Sequence, residues 1–239
     1  MTRKIFTTAL AAAAITFAAP ALAEPITLDS GDVGTSFSID FDGFVESSQQ
    51  PVDGLASTLT LTLDSVSTNS YSFSYALDNT TGGGVDSRVS SFAFNTDPDI
   101  SGATSTGDYS FVVVDGSYPN GIGSVDVCFK AKNSGSCSNG SGVSAGETGT
   151  GTLTLNFASP LTSLTLDDFF VRYQGISGAG NVSSASGKPI STTTTGSSSG
   201  TQVPEPGMLG LFAAALFAIG LAGGRRRRRL PEGGRPAFA

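Results

Sequence analysis

Leu59-Thr60-Leu61-Thr62-Leu63 and Tyr71-Ser72-Phe73-Ser74-Tyr75-Ala76-Leu77 decide the fold class. In both runs apolar side chains fall at every second position, and the residues between them are small or hydroxylated. Successive side chains of a strand point to opposite faces, so each run offers one face to a core and the other to water. The same period extends outward in both directions. Phe37, Ile39 and Phe41 alternate with Ser38 and Asp40, and Phe92 and Phe94 flank Ala93. Further on come Phe111-Val112-Val113-Val114, then Val125, Val127 and Phe129, then Leu153, Leu155 and Phe157, and last Leu164, Leu166, Phe169, Val171 and Tyr173. No helical period competes with these strands. Asp53-Gly54, Gly82-Gly83-Gly84, Pro119-Asn120-Gly121 and Asn139-Gly140 stand between the runs as turn formers. Eight or nine short strands predict an all-β antiparallel sandwich, jelly-roll-like, over residues 24–181. Its exposed faces, rich in Ser and Thr, suit a protein that lives among hydrated polymers.

The 239 residues are not of one kind. Residues 24–203 hold 18 of the 20 acidic residues against five basic ones, Arg88, Lys130, Lys132, Arg172 and Lys188, a balance of −13. Such a surface repels phosphate backbones, so nucleic acid is not an expected partner, whereas cations are. Histidine is absent, which removes Ser-His-Asp, Cys-His and His-zinc chemistry together.

Both ends carry processing signals. At the front, Arg3 and Lys4 precede an apolar stretch that ends at Ala21-Leu22-Ala23, a small-x-small cleavage site at Ala21 and Ala23. Residues 1–23 are therefore expected to be a signal peptide, with the Sec translocon and signal peptidase as partners and Glu24 as the mature N-terminus. The alternative, an uncleaved anchor, is disfavoured by the short stretch and by Pro20. At the back, Val203-Pro204-Glu205-Pro206 leads into residues 207–224, an uncharged run, followed by Arg225, Arg226, Arg227, Arg228 and Arg229. As a helix this run is roughly 27 Å long, enough to cross a bilayer. The arginines stop transfer and stay cytoplasmic. Pro204 and Pro206 hold an extended backbone just outside the membrane, where a protease can read it. Residues 203–229 form the expected sorting signal and residues 230–239 a short cytoplasmic tail; the competing reading is a permanent anchor.

That ordered combination resembles the PEP-CTERM sorting domain of Gram-negative bacteria that make exopolysaccharide. The resemblance implies recognition by an exosortase, cleavage near the Pro-Glu-Pro and release to the cell surface or extracellular matrix. The ten residues after the arginines depart from the usual pattern, which ends near the basic cluster. Within the domain, Ser91-Phe92-Ala93-Phe94-Asn95-Thr96-Asp97-Pro98-Asp99 and Phe170-Val171-Arg172-Tyr173-Gln174-Gly175-Ile176 are similar to segments of the cistern family PEP-CTERM group. That likeness implies no activity.

Residues 182–202 are rich in Ser, Thr and Gly and read as a flexible linker to the membrane. Asn79-Thr80-Thr81, Asn139-Gly140-Ser141 and Asn181-Val182-Ser183 match the N-glycosylation pattern. Cys128 and Cys137, delivered to an oxidising compartment, are expected to form a local disulfide; without a Cys-x-x-Cys spacing a redox role is disfavoured.

Among the acidic residues, Asp86, Asp97, Asp99 and Asp108 fall in loop-like sequence. Asn95, Asp97 and Asp99 set oxygen ligands at alternate positions, a loose match to a calcium site in which Asp97 and Asp99 are the candidate ligands; otherwise they are solvated turn residues. Asp167-Asp168 is the best candidate for a hydrolytic carboxylate pair, but adjacent strand residues face opposite ways unless a bulge intervenes. Arg172 and Gln174 share the face opposite Tyr173 and read as structural hydrogen bonders. Tyr71, Tyr75, Tyr109, Tyr118 and Tyr173 are the available stacking platforms. The reading that results is a non-enzymatic surface or matrix protein, sorted by an exosortase and associated with exopolysaccharide. The alternative is a carbohydrate-binding or calcium-dependent adhesive module, with a hydrolase third. No cofactor is required, calcium being the one considered.

Overall fold

The computed structural model describes residues 25–45, 51–133, 137 and 140–195. The expected signal peptide, the sorting motif, the membrane span, the arginine run and residues 196–202 of the expected linker lie outside these residues. The described part is all-β. Its strands are β1 (Ile26–Leu28), β2 (Ser36–Phe44), β3 (Pro51–Ser67), β4 (Ser70–Asp78), β5 (Asp86–Asp97), β6 (Gly102–Ser105), β7 (Phe111–Tyr118), β8 (Gly123–Lys130), β9 (Val143–Ser144), β10 (Thr148–Asn156), β11 (Leu164–Ser177) and β12 (Ser184–Thr195). Two single turns of 3-10 helix, Ser30–Asp32 and Gly107–Tyr109, connect them.

All twelve strands belong to one antiparallel sheet, nearly closed in a barrel-like shape. Its hydrogen-bonded order is β6-β10-β4-β3-β2-β12-β11-β5-β8-β7, with β1 added to β11 and β9 to β5. The alternation seen in the sequence decides which face turns inward. Phe37, Ile39 and Phe41 of β2, Leu59, Leu61 and Leu63 of β3, and Tyr71, Phe73, Tyr75 and Leu77 of β4 are all buried. They meet Phe92, Phe94, Phe129, Leu153, Leu155, Phe169 and Val171 in one cluster. Each such Phe or Leu removed from water stabilises the fold by roughly 1.5–3 kcal/mol before its entropy is counted. Most of the aromatic rings meet edge-on or tilted, as with Phe37 and Phe73 at 6.4 Å and Phe92 and Tyr109 at 5.3 Å, while Phe92 and Phe129 stack at 5.0 Å. Inside, the Ser57 and Tyr173 hydroxyls share a 2.7 Å hydrogen bond that ties β3 to β11.

Two boundaries differ from the expectation. The composition of residues 182–202 predicts a linker, yet Ser184–Thr195 is strand β12, paired with β11 on one side and β2 on the other. Its stability comes from main-chain hydrogen bonds to both neighbours and from a backbone close to Val171 and Tyr173: a Cβ on Gly187 would stand 2.4 Å from Val171. Composition alone registers neither. Asp53-Gly54 is not a turn but lies inside β3, where the register with β2 shifts between Asp42 and Phe44. Gly54 has φ +89°, and its carbonyl accepts from Gly82 N at 2.9 Å. Pro119-Asn120-Gly121 does turn the chain between β7 and β8, with Asn120 and Gly121 at positive φ.

A second, smaller cluster lies on the other face of the sheet. Ala93 and Cys128 are register partners, and they pack there with Tyr118, Val125 and Cys137. Cys128 and Cys137 are disulfide-bonded, Cα to Cα 6.0 Å. The bond fastens the chain after β8 back onto that strand, and Ser91 Oγ of the neighbouring β5 donates to the Cys137 carbonyl at 2.7 Å. The turn after β7 reaches β12 and β2: Ser186 Oγ donates to the Pro119 carbonyl and Asn120 Nδ2 to the Phe44 carbonyl, both at 3.4 Å.

Candidate functional site

The side chains that alternate with the core residues form the most regular polar feature among the described residues. Register places Ser191 of β12, Asp40 of β2, Thr58 of β3, Asp78 of β4 and Thr148 of β10 in one row across five adjacent strands. Hydrogen bonds run along it. Asp40 accepts from Ser191 Oγ at 2.6 Å through one oxygen and from Thr58 Oγ1 at 2.7 Å through the other. Asp78 Oδ1 accepts from Thr148 Oγ1.

Two residues along, Thr193, Ser38, Thr60, Ala76 and Thr150 make the next row, and Ser38 and Thr60 share a 2.8 Å hydrogen bond. Thr195, Ser36, Thr62, Ser74 and Thr152 make the third. There Ser36 bonds Thr62 at 2.7 Å, Thr152 bonds Thr106 at 2.9 Å, and Ser74 donates to Asp64 at 2.6 Å. A bulge at Asp64 carries the pattern on to Ser65, Ser72, Thr154 and Thr104, with Ser72 and Thr154 bonded at 2.9 Å. Cross-strand hydroxyl pairs of this kind stabilise a sheet by a few tenths of a kcal/mol up to about 1 each. They also leave every oxygen with spare acceptor capacity toward solvent.

The four rows contain carboxylates and hydroxyls and no basic residue. From Ile5 to Ser87 the chain has neither Lys nor Arg. Lys188 pairs in register with Asp42, one step outside the first row, and its ammonium lies 5.6 Å from the Phe44 ring centre. Burial raises the Asp42 carboxyl above its usual range, Lys188 opposing.

The first row runs into a cleft of about 550 Å³ at Thr148, lined also by Asp108, Ser141, Gly142, Val143 and Glu147. Local structure fixes both of its carboxylates. Asp108 Oδ2 accepts from Thr150 N at 2.8 Å, and Glu147 Oε2 from Ser144 N at 3.2 Å. Gly142 has φ +147°, and a Cβ there would meet the Val89 carbonyl at 2.1 Å, so its backbone lies flat on β5.

The residues singled out in the sequence fare unevenly. All five tyrosines are buried, so none is a stacking platform. Their rings fill the core or the outer cluster, and burial raises each phenol above its ordinary range. Asp97 and Asp99 are exposed at the end of β5, but Asn95, the third residue of the calcium reading, is taken up by other contacts. Its Nδ2 donates to Asp168 at 3.1 Å and its Oδ1 accepts from Asp126 N at 3.0 Å. Among the described residues no group of three His, Cys, Asp or Glu is placed to hold a metal ion.

Asp167-Asp168 does sit at a bulge, with the register shifting before Phe170 and Asp168 at φ +49°. Neither carboxyl is buried: Asp167 Oδ1 accepts from the Asp168 amide at 2.7 Å, and the pair shapes the bulge. Arg172 is buried under the β7–β8 turn, donating to Ser184 Oγ at 2.9 Å and Ser186 Oγ at 3.4 Å, and desolvation lowers its pKa. Asn79 is buried as well. Its Nδ2 donates to the carbonyls of Ser87 and Val143, so that side chain is not an open glycosylation acceptor. Asn181 is exposed.

Asp40, Asp78 and Glu147 escaped notice as site residues. The signal was present, since Asp40 stands in an alternating run, but only strand order shows that Asp40 and Asp78 share a row. No family model matches the chain, and no curated protein matches it.

Proposed function

We propose that this chain is an exported protein of the cell surface or extracellular matrix, sorted by an exosortase through Val203-Pro204-Glu205-Pro206 and working in contact with polysaccharide. The sorting part is carried by sequence alone: a signal-peptide pattern at one end and, at the other, the ordered motif, uncharged run and arginines that resemble the PEP-CTERM domain. The polysaccharide part is carried by one structural observation, the hydroxyl and carboxylate rows on the outward face of β12, β2, β3, β4 and β10. Hydroxyls that both donate and accept match the hydroxyls of a sugar polymer, and a regular sheet presents them at a fixed spacing. The domain is read as non-enzymatic and jelly-roll-like, the two layers being opposed halves of the one sheet.

The sorting reading is tested by Glu205→Ala. Expressed in a host that carries an exosortase, the wild-type chain is expected to shorten and reach the medium or cell surface. The variant is expected to stay longer and membrane-bound. An unchanged mature mass and release pattern in the variant removes processing at this motif.

A further inference from the structure

We infer that the row Ser191, Asp40, Thr58, Asp78 and Thr148, with the cleft it enters, is a binding track for a linear polysaccharide bearing free amines, an amino-sugar polymer that is at least partly N-deacetylated. The inference rests on the polysaccharide reading above and narrows it to one charge class.

Spacing comes first. Neighbouring strands lie ~4.8 Å apart, so Asp40 and Asp78, two strands apart, stand about 10 Å from each other on a row about 19 Å long. The carboxylates alternate with hydroxyls along that line, a pattern for a thin, extended ligand whose charges recur at intervals between neutral hydrogen-bonding groups.

Preorganisation comes second. An ionised carboxylate has about four acceptor sites. Ser191 and Thr58 occupy two on Asp40, and Thr148 occupies one on Asp78. The remaining sites are free for ammonium donors, and the hydroxyl bonds already hold the side chains in place, so less freedom is lost on binding.

Charge complementarity chooses among sugar polymers. No cation lies within the four rows, and Lys188 is directed to Asp42 and Phe44. An anionic polymer is repelled by Asp40, Asp78, Asp108 and Glu147, and a neutral one covers carboxylates without pairing them, which costs affinity. A polymer with amines pairs them. Thr148 belongs both to the row and to the cleft, so a chain lying along the row is led to the Glu147 and Asp108 carboxylates. A basic peptide would satisfy the charges, but Thr193, Ser38, Thr60 and Thr150 flank the row on one side, and sugar hydroxyls match those neighbours.

The test uses the full chain in mild detergent, with glucosamine hexamer as the probe and N-acetylglucosamine hexamer, a uronate oligomer and oligolysine beside it, by calorimetry at low and high salt. Asp40→Asn/Asp78→Asn removes the charge while keeping the shape, and Asp86→Asn, on β5 and outside the four rows, is the control. The expected result is saturable binding of the glucosamine hexamer, weakened roughly tenfold or more by the double variant and by salt, and unchanged by Asp86→Asn. Equal binding of the N-acetylated and free-amine hexamers, lost in Thr58→Val/Thr60→Val, overturns the amine inference and leaves the polysaccharide reading standing. Binding of neither sugar overturns both. Oligolysine binding as tightly as glucosamine overturns the inference in favour of generic charge attraction. Circular dichroism and the unfolding midpoint of each variant separate lost binding from lost fold; should the double variant unfold, Asp78→Asn alone, with one hydroxyl partner, is read by the same criteria.

Discussion

Gly151→Ala in β10 tests the packing against a plain sequence expectation. Glycine weakens a strand interior, and on propensity alone alanine there should stabilise by roughly 0.5–1 kcal/mol. The structure reverses the sign. A Cβ at Gly151 would stand 2.2 Å from the Thr106 carbonyl oxygen and 2.5 Å from the Tyr75 hydroxyl. Neither atom is free to give way. Tyr75 donates to that same carbonyl at 2.7 Å and accepts from Tyr109 N at 2.9 Å, and its ring packs 5.4 Å from Phe92 and 5.9 Å from Tyr109. Over-packing costs about 1–3 kcal/mol, and loss of the Tyr75 to Thr106 bond about 1 more. Set against the gain in propensity, the net is a destabilisation of about 2 kcal/mol, or roughly 4–8 °C in Tm for a domain of this size. Urea and thermal unfolding followed by circular dichroism measure it. The control is Gly102→Ala in β6, where a Cβ meets nothing within 4 Å; it should be neutral or slightly stabilising. Gly151→Ala as stable as the wild type, with Gly102→Ala no different, would refute the packing argument.

Two further outcomes follow from burial and from sheet order. Every tyrosine is raised above its ordinary value by burial, so the stability gained by keeping them neutral is whole below the ordinary phenol range and is lost as pH rises through the raised values. Tyrosinate absorbance should therefore stay flat through the ordinary phenol range and jump together with loss of the circular dichroism signal; two or more phenols titrating normally in the folded chain would contradict it. A chain ending at Asn181 should lose cooperative unfolding, because it lacks the strand between β11 and β2, while one ending at Thr195 should keep it. Equal unfolding curves for the two truncations would show that β12 is dispensable.

The alternating runs from Phe37 to Tyr173 state the fold class and most of the core by themselves, because a period of two leaves a strand one way to bury its apolar side chains. The disulfide was legible too, from two cysteines close in sequence behind a stretch that reads as an export signal. Strand neighbours were not legible. Row membership depends on which strand lies beside which, and pairs such as Asp40 with Ser191 are joined across 151 positions of chain. For the same reason β12 reads as a linker from its composition and becomes a central strand only when β2 and β11 present main-chain partners on both sides. The tyrosines illustrate the converse: as residue types they suit a surface platform or a core, and only the closure of the sheet around them decided for the core. The sequence determined what each strand can offer to either face; which polar groups meet on the outward one was decided by long-range pairing, a property of chain topology that no local pattern encodes.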